Sequence, residues 1–193
     1  MSNHKTAFCA ELFFKSNVGT DQDRSDLLQQ IRQQEAMSSV FDYSNPGCTR
    51  LKGDCKNIDW LFESINELLV DAVEFYNLKD NVFQNLNLSK EATINYWVNI
   101  NTPGSRNTFH THKEDDFSCV YYIQGTDTGD LRFPNPANIL GDCSKFSPFT
   151  RDFMFAPKDG DLILFPSWLA HEVEPNLSSR ERINIAFNFR LKQ

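Results

Sequence analysis

Two hydrophobic periods divide this chain. From Asn57 onward, Ile58, Leu61, Phe62, Ile65, Leu68, Leu69, Ala72, Val73 and Tyr76 return every three or four residues, the spacing that lines one face of an α-helix. The stripe is wide, so a helix over Asn57 to Asn77 has to cover an apolar surface elsewhere in the protein. Near the C-terminus the period falls to two: in R-I-N-I-A-F-N-F-R, Arg182, Asn184, Ala186, Asn188 and Arg190 share one face of a strand, and Ile183, Ile185, Phe187 and Phe189 share the other. The polar face can meet water, as on an ordinary half-exposed strand, or line a polar pocket inside a barrel whose outside is covered by the Asn57 helix. The pattern alone leaves both open.

Elsewhere the signals are shorter. Ala10 to Phe14 is a brief apolar piece, and the run D-Q-D-R-S-D-L-L-Q-Q-I-R-Q-Q-E-A-M predicts a thinly amphipathic helix rich in Gln, Glu and Arg. Ser44 to Lys56 mixes Asn, Pro, Gly, Asp and Cys without period and reads as a loop. From Ala92 onward, β-rich runs (Thr93 to Asn101, Cys119 to Gln124, Leu162 to Phe165, Arg182 to Arg190) alternate with turn clusters, and Pro134 to Pro148 reads as an insert between strands. The expectation is one domain over 1–193, mostly β with N-terminal helices (α+β): a helical support region over 1–91 and a β core over 92–193.

Composition narrows the function. With 193 residues the chain can bury a sizeable core without disulfides or a structural metal. Its 19 Lys+Arg against 26 Asp+Glu, net charge −7, argue against a surface that tracks nucleic-acid phosphates. The five cysteines (Cys9, Cys48, Cys55, Cys119, Cys143) form no C-x-x-C pair, and this odd, unpatterned set fits reduced thiols in the cytoplasm. No segment offers the roughly 18 apolar residues of a membrane span. Oligomeric state is left open.

Candidate chemistry lies in T-F-H-T-H-K-E-D-D-F-S-C-V-Y-Y, where His110 and His112 are two apart, the spacing that puts both on one face of an extended chain. Two converging imidazoles suggest a metal. The third candidate ligand is His171 in F-P-S-W-L-A-H-E-V-E-P; the remaining histidine, His4, sits at a terminus expected to fray. Imidazole suits iron, zinc, copper or nickel, so ligand type does not choose among them. If the last strand faces a pocket, Arg182 aims a cation with a planar donor fork inward, a match for a carboxylate. Trp97 and Trp168 read as packing aromatics, and Cys119 as a buried inert thiol.

Taken in order, H-x-H, C-V-Y-Y-I-Q, G-D-L-R-F-P, P-K-D-G-D-L-I-L-F-P-S-W-L-A-H-E-V-E-P and R-I-N-I-A-F-N-F resemble the iron(II)/2-oxoglutarate-dependent oxygenases, in particular their compact bacterial and phage branch, with likeness to prolyl hydroxylases. The resemblance spans Ile94 to Phe189 and implies a double-stranded β-helix, a jelly roll of cupin-like form. It implies Fe(II), 2-oxoglutarate as cosubstrate and O2, with ascorbate as a compatible auxiliary. Carried over by position, His110 and His171 are metal ligands, Arg182 anchors the cosubstrate's far carboxylate, and Tyr122 supplies a hydroxyl to the same group. Asn99 and Asn184, facing inward beside them, join the cofactor-binding set, although a strand-end hydrogen bond explains Asn99 equally well.

The family carries H-x-D or H-x-E where this chain reads His110-Thr111-His112. Either His112 stands in the carboxylate's place, the preferred reading, or the motif shifts two residues and Glu114 is the ligand. The acidic run of Glu114, Asp115 and Asp116 otherwise reads as a solvated turn or a substrate-facing rim. The implied activity is hydroxylation of a C–H bond in a peptidyl side chain, an amino acid or a small metabolite. Two rivals remain: a cupin-like three-histidine metalloenzyme that does not use 2-oxoglutarate, and a barrel that binds without turnover.

Overall fold

A computed structural model of the chain describes residues 3–7, 10–36, 47–76, 92–136 and 151–191. Within them the elements run β1 (Asn3–Ala7), β2 (Ala10–Lys15), α1 (Asp21–Glu35), β3 (Cys48–Lys52), α2 (Asp59–Phe75), β4 (Ala92–Asn101), β5 (Asn107–His110), β6 (Phe117–Gln124), β7 (Leu131–Phe133), β8 (Phe153–Phe155), β9 (Leu162–Pro166), β10 (His171–Val173) and β11 (Arg182–Leu191). Seven strands form one sheet in the order β1-β2-β9-β6-β11-β4-β3, and four form a second in the order β5-β10-β7-β8. All pairings are antiparallel.

Strand β11 decides what faces what. Its odd-numbered residues Ile183, Ile185, Phe187 and Phe189 are fully buried in one apolar cluster with Leu61, Ile65, Leu68, Leu69 and Ala72 of α2. The helix stripe thus finds the surface it requires, and each such side chain stabilises the fold by about 1.5–3 kcal/mol through removal from water. The even-numbered Arg182, Asn184 and Asn188 are also buried, on the opposite side. Of the two arrangements the alternation allowed, the chain adopts the polar interior, and only Arg190 of that face is exposed. A second apolar cluster, including Leu12, Phe165 and Ile163 from the large sheet and Leu131, Phe133 and Phe155 from the small one, fastens the two sheets together.

Helix α1 starts where its chemistry dictates. Thr20 Oγ1 accepts from the Asp23 backbone N–H at 3.1 Å while the Thr20 N–H donates to Asp23 Oδ2 at 2.7 Å, a reciprocal capping box. Only Leu27 and Ile31 of this helix are buried, consistent with its thin stripe.

Several expectations change. Residues 48–52, read as loop, form β3, which pairs with β4 from Cys48↔Asn101 to Lys52↔Trp97. The N-terminus does not fray at His4: β1 pairs with β2, with His4 opposite Phe13. The N-terminal part is therefore not helical support alone, since it contributes three strands to the large sheet. His112 lies past the end of β5 rather than on the strand with His110. Helix α2 is two residues shorter at its start than the pattern indicated. Cys9, Cys143, Asn77 and all of the Pro134–Pro148 segment beyond 136 lie outside the described residues. No helix among the described residues is long and apolar enough to cross a membrane.

Candidate functional site

Strand pairing assembles two of the three histidines. His110 ends β5, His171 begins β10, and the two are direct partners across the small sheet, with ring centroids 4.3 Å apart. His112 reaches the same place from beyond the strand, its backbone N–H bonded to the Ser167 carbonyl at 3.0 Å. Its ring centroid lies 4.9 Å from that of His110 and 5.3 Å from that of His171. One nitrogen from each residue falls within 4.8 Å of the other two. Glu114 does not join them: its side chain meets Arg190 Nη2 at 3.2 Å and its carbonyl accepts from Arg190 Nε at 2.6 Å.

Local hydrogen bonds orient these rings. Nδ1 of His110 lies 2.7 Å from the Thr108 carbonyl, and Nδ1 of His171 lies 2.9 Å from that of Leu169. A carbonyl only accepts, so both rings carry their hydrogen on Nδ1 and keep the Nε2 lone pair free. Burial, reinforced by His110, holds the pKa of His171 down to about 3. Burial again, then His110 and Arg50, lowers that of His112 to about 4. Both rings are neutral at pH 7, the form in which imidazole binds a metal.

Around the histidines lies a cavity of about 340 Å³. Tyr122, Asn99 and Asn184 line it on the β4, β6 and β11 side, and Asn107 lines it from the start of β5. Asn99 donates to Asn184 Oδ1 at 2.9 Å across the β4–β11 pair. Arg182 is 0% exposed and reaches the cavity wall through Asn107, whose Oδ1 is 3.5 Å from its Nη2. Its Nη1 donates to the Thr128 carbonyl at 2.5 Å and to that of Glu174 at 3.2 Å. The Nε has no partner, and among the described residues no carboxylate pairs with this cation. Gly129 permits the enclosure: with φ +99° its position excludes a side chain, since a Cβ there would lie 2.7 Å from the Glu174 carbonyl and 3.1 Å from Arg182 Nη1. Burial raises the Tyr122 pKa while the charge of Arg182 opposes that rise, so the hydroxyl and the guanidinium feel one another.

These residues fit the groups the sequence implied. Three imidazoles facing one point are a donor set for a divalent first-row metal. A buried guanidinium without an anion, one donor unmet, is costly until a carboxylate arrives.

Some participants escaped the sequence reading. Arg50 stands on β3, in the stretch taken for a loop, with its guanidinium carbon 4.0 Å over the Trp97 ring; both line the cavity. Ser118 and Asn188 line it too; the inward face of β11 was the available signal for Asn188. Trp168, expected to pack, is 58% exposed, whereas Trp97 and Cys119 are buried as expected. Cys48, Cys55 and Cys119 are buried and join no disulfide among the described residues.

Residues 95–188 match the family described as "Putative 2OG-Fe(II) oxygenase". No curated protein matches the chain in sequence. Among solved structures it is similar to a prolyl-4-hydroxylase from Pseudomonas putida, with 18% identity and a TM-score of 0.64 over 94% of this chain and 93% of that one. It is also similar to a prolyl hydroxylase from Trichoplax adhaerens in complex with a hypoxia inducible factor peptide fragment (16% identity, TM-score 0.62, covering 93% and 83%). A third likeness is to HygX from Streptomyces hygroscopicus with nickel and 2-oxoglutarate bound (13% identity, TM-score 0.58, covering 93% and 82%). At these identities the likeness is one of fold, the double-stranded β-helix.

Proposed function

We propose that the chain, whose residues 95–188 match the 2OG-Fe(II) oxygenase family, is a hydroxylase of that family that acts on a C–H bond of a peptidyl side chain, an amino acid or a small metabolite. His110, His112 and His171 would hold Fe(II), and Arg182 with Tyr122 would hold the far carboxylate of 2-oxoglutarate, with Asn99 and Asn184 along the wall between. When bound, iron and 2-oxoglutarate supply O2 activation, with decarboxylation of the cosubstrate to succinate and transfer of one oxygen atom to the substrate.

The observation that carries this reading is the pairing of a three-histidine cluster with a buried, anion-free arginine beside one cavity. The β5–β10 pairing places His110 and His171 side by side before any metal arrives. The Asn107 contact, at 3.5 Å the longest of the Arg182 bonds, is the one a carboxylate entering from the cavity would replace. The apolar seam of Phe133, Phe165 and Leu131 beside His171 excludes water from that side and strengthens electrostatic contacts in the cavity. Prolyl and other peptidyl side chains enter as candidates through the two hydroxylase neighbours. Small molecules enter through HygX, also solved with hygromycin B bound.

The test is anaerobic titration of 2-oxoglutarate into the Mn(II)-loaded chain, followed by succinate formation with Fe(II) and ascorbate in air. Saturable 2-oxoglutarate binding that requires metal, with succinate release, is the expected result. Metal binding without 2-oxoglutarate affinity would replace this reading by the three-histidine metalloenzyme; binding of both without succinate, over a substrate panel, would replace it by a binding barrel.

A further inference from the structure

Two of the three histidines have only one way to face a metal, and the third has two. The carbonyls of Thr108 and Leu169 commit His110 and His171 to hydrogen on Nδ1. Nδ1 of His112 instead lies 3.1 Å from Nδ2 of Asn188. A side-chain amide offers a donor at one end and an acceptor at the other, so Asn188 can serve either tautomer of the ring by turning over.

The neighbours of Asn188 bond it in the orientation seen here. Ser118 Oγ donates to Asn188 Oδ1 at 3.0 Å, and Ser118 Oγ is 2.8 Å from Ser167 Oγ. With its oxygen occupied by Ser118, the amide turns its NH2 toward His112, whose Nδ1 accepts and whose hydrogen therefore sits on Nε2. In that tautomer the nitrogen left for a metal is blocked. The reverse order is equally well bonded: His112 Nδ1–H donates to Asn188 Oδ1, Asn188 Nδ2 donates to Ser118 Oγ, and the Ser118 hydroxyl turns to Ser167 Oγ. No proton is gained or lost, and the His112 Nε2 lone pair is released.

We propose that Asn188 is a positioning residue, acting through Ser118 and Ser167, that reverses this chain of hydrogen bonds when metal binds and so lets His112 serve as the third ligand. The inference rests on the three-histidine metal reading above. The chain is buried, Asn188, Ser118 and Ser167 being 5%, 2% and 0% exposed. It is also built into the fold. Asn188 and Ser118 are direct partners of β11 and β6, and Ser167 both ends the hydroxyl chain and accepts the His112 backbone N–H at 3.0 Å. One residue therefore anchors the backbone of His112 and closes the chain that orients its ring.

The experiment uses the full chain labelled with 15N-histidine, with Zn(II) as a diamagnetic probe, and reads the ring tautomers from long-range 1H–15N couplings. Without metal, His112 is expected to carry its hydrogen on Nε2 and to move it to Nδ1 as Zn(II) saturates, while His110 and His171 show Nδ1–H throughout. Asn188→Asp, which can only accept, should show Nδ1–H at His112 before metal is added and bind Co(II) at least as tightly as the wild type. Asn188→Leu, which can neither accept nor donate, should bind Co(II) roughly 10- to 100-fold more weakly. The proposal is overturned if metal-free wild type already holds Nδ1–H at His112, or if Asn188→Asp weakens Co(II) as much as Asn188→Leu. Should Asn188→Leu fail to fold, the wild-type and Asn188→Asp spectra decide alone. A wild type that binds neither ion removes the metal reading itself, and this inference with it, an outcome distinct from a metal site indifferent to residue 188.

Discussion

Arg182 brings a full positive charge into the barrel with two main-chain carbonyls and one amide oxygen as its hydrogen-bond acceptors. Arg182→Ala should therefore weaken 2-oxoglutarate binding by about 2–5 kcal/mol while leaving metal affinity intact, as truncation of one partner of a buried charge pair does; parallel calorimetric titrations of metal and of 2-oxoglutarate check both halves. Arg182→Lys keeps the charge, loses the bidentate fork and should fall between. The histidines give a pH signature. Their folded pKa values, about 4 for His112 and about 3 for His171, lie below the unfolded value near 6.5. Between those limits the unfolded chain binds more protons than the folded one, so stability rises with pH across this window. The metal-free protein should lose stability as pH falls from about 6.5 toward 4, by at most about 1.4 kcal/mol per pH unit for each ring. Denaturant midpoints of wild type and His171→Gln over that range test it, the variant having the shallower slope. The histidines and Arg182 were legible because rare residue types at fixed spacings announce themselves. Arg50, Ser118 and Asn188 were not, because ordinary polar residues acquire meaning only from what the fold sets opposite them.

At the scale of elements, legibility followed length. Helix α2 and strand β11 run long enough for a period to show, and each revealed its apolar face in the residues alone. Strands β3, β7 and β10 have five, three and three residues, too few for any period, and they exist because a distant partner supplies their hydrogen bonds. The difference should show in mutant energetics. Leu68, fully buried on α2 against the large sheet, should cost about 2–5 kcal/mol when cut to Ala, through lost burial and the cavity left behind. Thr20→Ala should cost about 0.5–2 kcal/mol by opening the α1 capping box. Chemical denaturation of the two variants checks the order, and neither change should alter the number of metal ions bound, because both lie on the outer side of the sheet.

In the whole molecule, the large sheet works as a wall between two environments, an apolar one under α2 and a polar one around the histidines. Ligands of the inner side should then stabilise the entire fold. A metal or 2-oxoglutarate at 100 times its dissociation constant contributes about 2.7 kcal/mol, on the order of 5–10 °C in Tm for a chain of this size. Thermal scans with Mn(II), then Mn(II) plus 2-oxoglutarate, should show two successive rises. A chelator should reverse both, and Arg182→Ala should keep the first and lose the second.

Strand β11 serves both environments with no residue to spare, which gives it something like a reading frame of two. Removing a single residue from its middle would leave hydrophobicity and strand propensity almost unchanged, yet every position beyond the cut would be assigned to the wrong side, with phenylalanines delivered to the histidines and asparagines to the helix. Removing two adjacent residues would shorten the strand and keep the assignment. For this strand the smaller deletion is the greater injury, as it is in a gene.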